Sequence, residues 1–340
     1  MMSKVLSFGE LLLRICPDSA GSWLEENSFP VYVGGAEANV AAALALWEVP
    51  SAYMSAIPDN FIARQLVGYL DELNIDTSPI QYSGERIGLY FLDKGKDLKN
   101  AGVIYDRKYS SFSELEVNTI DWDKVFEGVS WFHFSAICPA INQSVANVCE
   151  EALKAASAKG ITISIDLNYR AKLWKYGKEP VEVLPALVQY CDLVMGNVWA
   201  AEKMLGIPVS ETLVEEHDKS AYLQQSQVSS KAILDQFPKC KHVANTFRFD
   251  HGSGIQYYTT LYTQDELYIS TEYVAEQIAG KVGSGDCFMA GLIYGFYKGQ
   301  KPQEIVDFAT SAAFAKLFTE SDFNTTKIQD IKSVVEQYEN

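Results

Sequence analysis

The chain has 340 residues, 48% of them hydrophobic and 21% charged, which is ample for a buried core without disulfide or metal staples. Its 44 acidic residues outnumber 28 lysines and arginines, giving a formal charge of −16. That balance repels polyphosphate backbones and anionic lipid, so nucleic-acid and membrane partners are set aside, while small anions can still be drawn in by local donors.

In chain order, Val5–Phe8 predicts a buried strand, residues 11–33 an extended helix-poor segment, Asn39–Trp47 a helix, Ala52–Ile57 a strand and Ile62–Leu73 a helix. Ile87–Leu92 and Gly102–Tyr105 are strand-like runs flanking Asp93-Lys94-Gly95-Lys96, with no helix between them. Strands at Trp131–Ser135, Ile161–Asp166, Leu193–Met195 and His242–Thr246 then alternate with helices at Gln143–Ala158, Val181–Tyr190 and Ser229–Phe237. Gly206–Ser230 is polar and reads as looped or irregularly helical, and Tyr257–Tyr262 with Glu266–Thr271 reads as an antiparallel hairpin near the sheet edge. From Gly283 onward the pattern is helical: Asp286–Lys298, Pro302–Phe318 and Thr326–Tyr338.

This alternation predicts an α/β fold with a mostly parallel sheet flanked by helices, and ligands at the carboxyl ends of its strands. The segments at about 11–33 and 86–108 predict a small β-sheet, either a lid over a site or a dimer surface, with a pair of surface hairpins as the plainer alternative. No repeat or linker divides residues 1–340, which read as one domain plus its lid.

Cys16, Cys138, Cys149, Cys191, Cys240 and Cys287 form no CxxC pair, and His133, His217, His242 and His251 show no zinc spacing. The expectation is reduced thiols and no metal cage. No leader-like apolar region opens the sequence and no apolar run is long enough to span a bilayer, so the chain reads as soluble and cytoplasmic.

The most informative segment is Gly283-Ser284-Gly285-Asp286, followed at once by an apolar helix. Glycines let a ligand approach the backbone, and a helix's first turn presents unsatisfied N–H groups, which together suit a phosphate. Asp286 at that mouth is either a helix cap or a general base. A second pair, Gly34-Gly35, precedes a helix carrying Asn39; it leaves a polar ligand room against the backbone or simply permits a tight helix–sheet crossing. No P-loop, GxGxxG or GxSxG motif is present.

Together, Gly34-Gly35-Ala36-Glu37-Ala38-Asn39-Val40-Ala41 and Gly283-Ser284-Gly285-Asp286-Cys287 resemble the PfkB (ribokinase-like) carbohydrate kinases. Gly9-Glu10-Leu11-Leu12-Leu13-Arg14, Gly88-Leu89-Tyr90, Val103-Ile104-Tyr105-Asp106-Arg107, Phe132-His133-Phe134-Ser135, Asp166-Leu167-Asn168-Tyr169-Arg170 and Asp322-Phe323-Asn324 extend the likeness along the chain, most closely toward the 2-keto-3-deoxygluconate kinases. The resemblance implies ATP-dependent phosphorylation of a sugar-acid hydroxyl, with Asp286 as base and the amides of Gly283, Ser284 and Gly285 stabilising the transferred phosphoryl group. It implies sugar contacts at Gly34, Gly35 and Asn39, and sugar-acid contacts at Tyr90, Tyr105, Arg107 and Arg170. On the nucleotide side it points to Asn168, Asn197 and Thr246 beside Gly283 and Gly285, with Mg²⁺ carried in by ATP.

Guanidinium groups suit a carboxylate substrate independently of the likeness. Two family features do not carry over. An acidic residue linked to a monovalent-cation site is replaced by Gly280, and the glutamate of Asn-x-x-Glu near Mg²⁺ is replaced by Ala200. A neutral-sugar kinase and a weakly active sugar- or nucleotide-binding relative are the alternatives. An exposed lid sheet further predicts a homodimer that covers it.

Overall fold

The computed structural model describes residues 3–17, 21–25, 27–93, 102–211, 213, 218–252 and 254–338. Lys94-Gly95-Lys96, His217 and Ser253 lie outside the described residues. From one edge the large sheet runs Ile75–Asp76, Ser51–Met54, Lys4–Phe8, Val129–Ser135, Thr162–Asp166, Leu193–Gly196 and His242–His251, each strand parallel to its neighbours. Gly254–Thr263 then turns back antiparallel, and Glu266–Ile269 and Tyr273–Ala275 both pair antiparallel with it.

The central strands are apolar on both faces, as a sheet covered twice by helices requires. Phe132, Phe134, Ile163, Ile165 and Val194 point to one side, against Gln143–Ala158, Pro180–Val188 and Val198–Leu205. Their alternates Trp131, Leu193 and Met195 point to the other, against Ala36–Leu46, Ser284–Tyr297 and Pro302–Lys316. His133 belongs to this interior: its Nδ1 lies 3.0 Å from Ser164 Oγ, and burial pushes the ring down to about 3, so it stays neutral. All six cysteines are buried and unpaired with one another.

A separate mixed sheet runs Val31–Gly34, Leu12–Ile15, Gly88–Leu92 and Val103–Asp106, antiparallel in its outer pairs and parallel in the middle one. Its strands come from the segments at about 11–33 and 86–108. Its inner side chains Leu12, Tyr90, Leu92 and Val103 pack together with Val282, just before the glycine pair at residues 283–285.

Three local expectations need correction. Ala52–Ile57 is not one strand: Ser51–Met54 joins the large sheet, whereas Ala56–Ile57 pairs with Gln81–Tyr82. Residues Lys219–Gln236 form one regular helix, opened by Asp218 accepting from the Ser220 amide, where loop or irregular helix was expected up to Ser230. The apolar period fails there because serines face the sheet; Ser226 Oγ bonds Asn245 Oδ1 and Thr260 Oγ1, both at 2.8 Å. Finally, His242–Thr246 continues to His251, so the hairpin with Gly254–Thr263 is longer than its apolar stretch.

Candidate active site

Two helix N-termini converge on one point. Ser284–Tyr297 opens from Gly283, whose φ of +78° supplies the turn and leaves the first-turn amides unspent. Ala36–Leu46 opens from Gly35 at φ +138°, where a Cβ would stand 2.6 Å from the Glu10 carbonyl oxygen. Asp286 does not cap its own helix. Instead Asn39 Nδ2 donates to Asp286 Oδ2 at 2.6 Å, tying the helices together. Burial among cleft walls pushes the Asp286 carboxyl up to about 8; the Asn39 bond pulls the other way, Asp166 and Glu37 add to the rise, and Arg170 opposes it.

The small sheet brings basic and aromatic candidates to the same place. Arg107, just past Val103–Asp106, is buried and its Nε donates to Glu10 Oε2. Burial alone would lower the guanidinium pKa, but the Glu10 carboxylate more than reverses this and keeps it charged. Tyr90 Oη donates to Asp322 Oδ2 at 2.6 Å, and Asp322 Oδ1 accepts from Arg14 Nε at 2.7 Å. The Tyr105 ring lies 6.4 Å from that of Tyr90. Arg170 donates from Nη1 to the Tyr169 carbonyl at 3.1 Å, whereas its buried Nε finds no partner among the described residues. Glu10 Oε1 and Asn39 Oδ1 are buried acceptors in the same condition.

These groups line one cleft of about 1400 Å³, counting the space open to solvent. Gly283, Ser284, Gly285, Asp286, Gly35, Asn39, Tyr90, Tyr105, Arg107 and Arg170 all reach it, as do Asn168, Asn197 and Thr246. Gly34 does not line it; it sits behind, where a Cβ would meet Asp322 Oδ2 at 2.9 Å and the Tyr90 ring at 3.4 Å. Asn168, at φ +22°, donates its amide to Asp166 Oδ1 at 2.9 Å. Asn197 caps Val198–Leu205 by accepting from the Ala200 amide at 2.8 Å, which commits its oxygen and leaves its Nδ2 to the cleft. A contiguous hollow of about 880 Å³ shares Tyr105, Arg170 and Trp199 with the cleft.

Beyond the candidate side chains named from the sequence, Glu10, Glu37 and Arg248 also line the cleft. Glu37 is buried and accepts from Ser135 N at 3.0 Å, Ser135 Oγ and Cys138 Sγ; burial raises its carboxyl above the usual range. Arg248 Nη1 reaches Ser284 Oγ at 3.1 Å. Glu10 and Glu37 both follow glycine-containing motifs, which was the available signal. Among the described residues no group of three or more His, Cys, Asp or Glu side chains is placed to hold a metal ion, and no helix is long and apolar enough to cross a membrane.

The model of the pfkB family carbohydrate kinases matches residues 2–326. The chain belongs to that family. A crystal structure of 2-dehydro-3-deoxygluconokinase from Thermotoga maritima superposes with a TM-score of 0.88 at 32% identity, covering 98% of this chain and 99% of the other. The ribokinase-like fold, a large mostly parallel sheet between helices with a small separate sheet, is thereby shown. The 2-dehydro-3-deoxygalactonokinase of Haloferax volcanii is 28% identical over 174 residues, 51% of this chain and 54% of its own length, so this chain spans about half of that relative. The 5-dehydro-2-deoxygluconokinase of Clostridium botulinum is 24% identical over 98% of this chain and 94% of its own.

Proposed function

We propose that this carbohydrate kinase transfers the terminal phosphate of ATP to a hydroxyl of a sugar acid, 2-keto-3-deoxygluconate at its 6-hydroxyl being the first candidate. The observation that carries the reading is the composition of one cleft: a raised carboxyl and helix N-terminal amides together with Arg170, whose buried Nε has no partner among the described residues. A polyhydroxylated acid answers both kinds of orphaned group. Its carboxylate accepts from guanidinium, and its hydroxyls donate to Glu10 Oε1 and Asn39 Oδ1. The relatives named above all bear names of dehydro-deoxy sugar-acid kinases, which supports the same substrate class.

Asp286 accepts the proton of the attacking hydroxyl as its oxygen bonds the γ-phosphorus and the bond to the β–γ bridging oxygen breaks, releasing ADP. The amides of Gly283, Ser284 and Gly285 face the charge on the transferring group. Asn39 aims the carboxylate. Asn168, Asn197 and Thr246 would hold the nucleotide, with Mg²⁺ bound chiefly by phosphates and water. The small sheet acts as a lid that excludes water during transfer. Its exposed Val31 and Ile104 would be covered in a homodimer; a monomer by sedimentation removes that element.

A coupled ADP-release assay over sugar acids and neutral sugars tests the substrate class. Turnover of 2-keto-3-deoxygluconate or a close acid above any neutral sugar is expected. A preference for fructose or ribose would replace this reading with that of a neutral-sugar kinase.

A further inference from the structure

Lys316, the last residue of Pro302–Lys316, is fully buried. Its Nζ donates to three main-chain carbonyl oxygens: Ser321 at 2.6 Å, Val282 at 3.1 Å and Thr319 at 3.5 Å. An ammonium at a helix C-terminus is favourably placed. Taking it wholly out of water is costly, and here the three carbonyl oxygens stand in for the water it has lost. Burial lowers its pKa, while Cys287, Asp322 and Asp286 work to keep it charged.

The position of this cation matters because Val282 precedes Gly283. The loop from Ala279 to Gly283 is stitched to the segment after Lys316: the amides of Ala279 and Gly280 both donate to the Leu317 carbonyl, at 2.9 and 3.1 Å. A Cβ on Gly283 would stand 2.3 Å from the Asp322 carbonyl oxygen and 3.2 Å from Lys316 Cε, so the two segments are in close contact. Gly280 contributes no side chain, and its nearest neighbour would be the same Thr319 carbonyl that Lys316 reaches. Carbonyl oxygens converging on one positive charge form the kind of site that also holds a bare K⁺ ion.

We infer that Lys316 is a built-in monovalent cation that positions the Gly283–Gly285 donors, so that transfer in this enzyme needs no added K⁺ or other alkali ion. The inference rests on reading those amides as the phosphoryl-binding donors. Lys316 touches neither reactant and is a positioning residue: its charge draws in the Val282 carbonyl and thereby sets the start of the catalytic helix.

The test compares the wild type with Lys316→Ala and Lys316→Met in choline, sodium, potassium and ammonium chlorides at constant ionic strength, reading Tm as well as kcat and KM. Wild-type Tm and kcat should be the same in choline and potassium. Lys316→Ala should lose about tenfold or more in kcat in choline with little change in KM, since a small displacement of positioned groups acts on the chemical step. Potassium or ammonium should restore both kcat and Tm in Lys316→Ala by filling the vacated space, and should not do so in Lys316→Met, whose side chain still occupies it. Potassium activation of the wild type would overturn the inference even if neither variant folds. An Ala variant whose Tm and kcat respond alike to every cation would overturn it as well. If the wild type phosphorylates no sugar, the proposed function fails, while the Tm comparison still decides the role of Lys316.

Discussion

Asp286→Asn is expected to lower kcat by about 10³-fold while leaving the protein folded and the sugar bound, because general base catalysis contributes about 10²–10⁴. The substitution keeps an oxygen that can accept from Asn39 Nδ2, so the junction between the two helix N-termini survives. What disappears is the proposed proton acceptor. With its carboxyl pushed up to about 8, Asp286 is poised near neutrality, and as the proposed base it would be competent only when ionised. In the wild type kcat/KM should therefore rise with pH and level off above about 8, and this limb should be absent in the residual activity of Asp286→Asn.

Stability should move in the opposite direction. An unfolded aspartate ionises near ~4, so between that value and the raised folded-state value the unfolded chain gives up its proton while the native state holds on to it. This contribution to stability is fully present below the unfolded value and is lost as pH rises through the folded value of about 8. The asparagine variant has no such loss. Its Tm should exceed that of the wild type by a margin that grows from pH 5 to pH 8, measured by thermal melts. A variant with near-normal turnover, or a margin independent of pH, would assign Asp286 a purely structural part.

Arg170→Ala has the second largest expected effect. Truncating one partner of a buried charge pair costs about 2–5 kcal/mol, so kcat/KM for a sugar acid should fall by about 10²-fold or more, while any neutral sugar that is turned over should lose only a few-fold. Arg170 is a cleaner probe than Arg107. Removing Arg107 would strand the buried Glu10 carboxylate at a cost of about 3–5 kcal/mol in stability, mixing folding with recognition. The Arg170 side chain has no ion pair among the described residues, so its removal strands no buried carboxylate. It also withdraws a charge that holds the Asp286 carboxyl down, an effect shared by acids and neutral sugars, so the acid-specific part of the loss reports the ligand contact. Equal losses on acids and neutral sugars would count against a carboxylate at this position.

The parts of the site legible in the sequence are those written in consecutive residues. Gly283 to Asp286 encode a left-handed turn, a helix start and a carboxylate within four positions, so this part is read locally even though Asn39 and Lys316 hold it in place from afar. The parallel sheet was equally legible, since strands buried on both faces are apolar runs. Glu10 and Glu37 were not. A carboxylate's burial depends on partners far along the chain: Arg107 lies 97 residues from Glu10, and Ser135 lies 98 from Glu37. Lys316 reads as the basic end of an ordinary helix until the carbonyls of residues 282, 319 and 321 close around it. The Lys219–Gln236 helix was obscured by the opposite effect, because its sheet-facing stripe is serine bonded to Asn245 and Thr260.

A crystal structure of the enzyme with a sugar acid and a non-hydrolysable ATP analogue tests the central claim most directly. The account predicts the acceptor hydroxyl within hydrogen-bond reach of the Asp286 carboxylate, about 3 Å, with the terminal phosphate on the amides of residues 283–285 and the sugar carboxylate on Arg170. A complex in which both reactants are bound and Asp286 still contacts only Asn39, with the hydroxyl directed elsewhere, would contradict it.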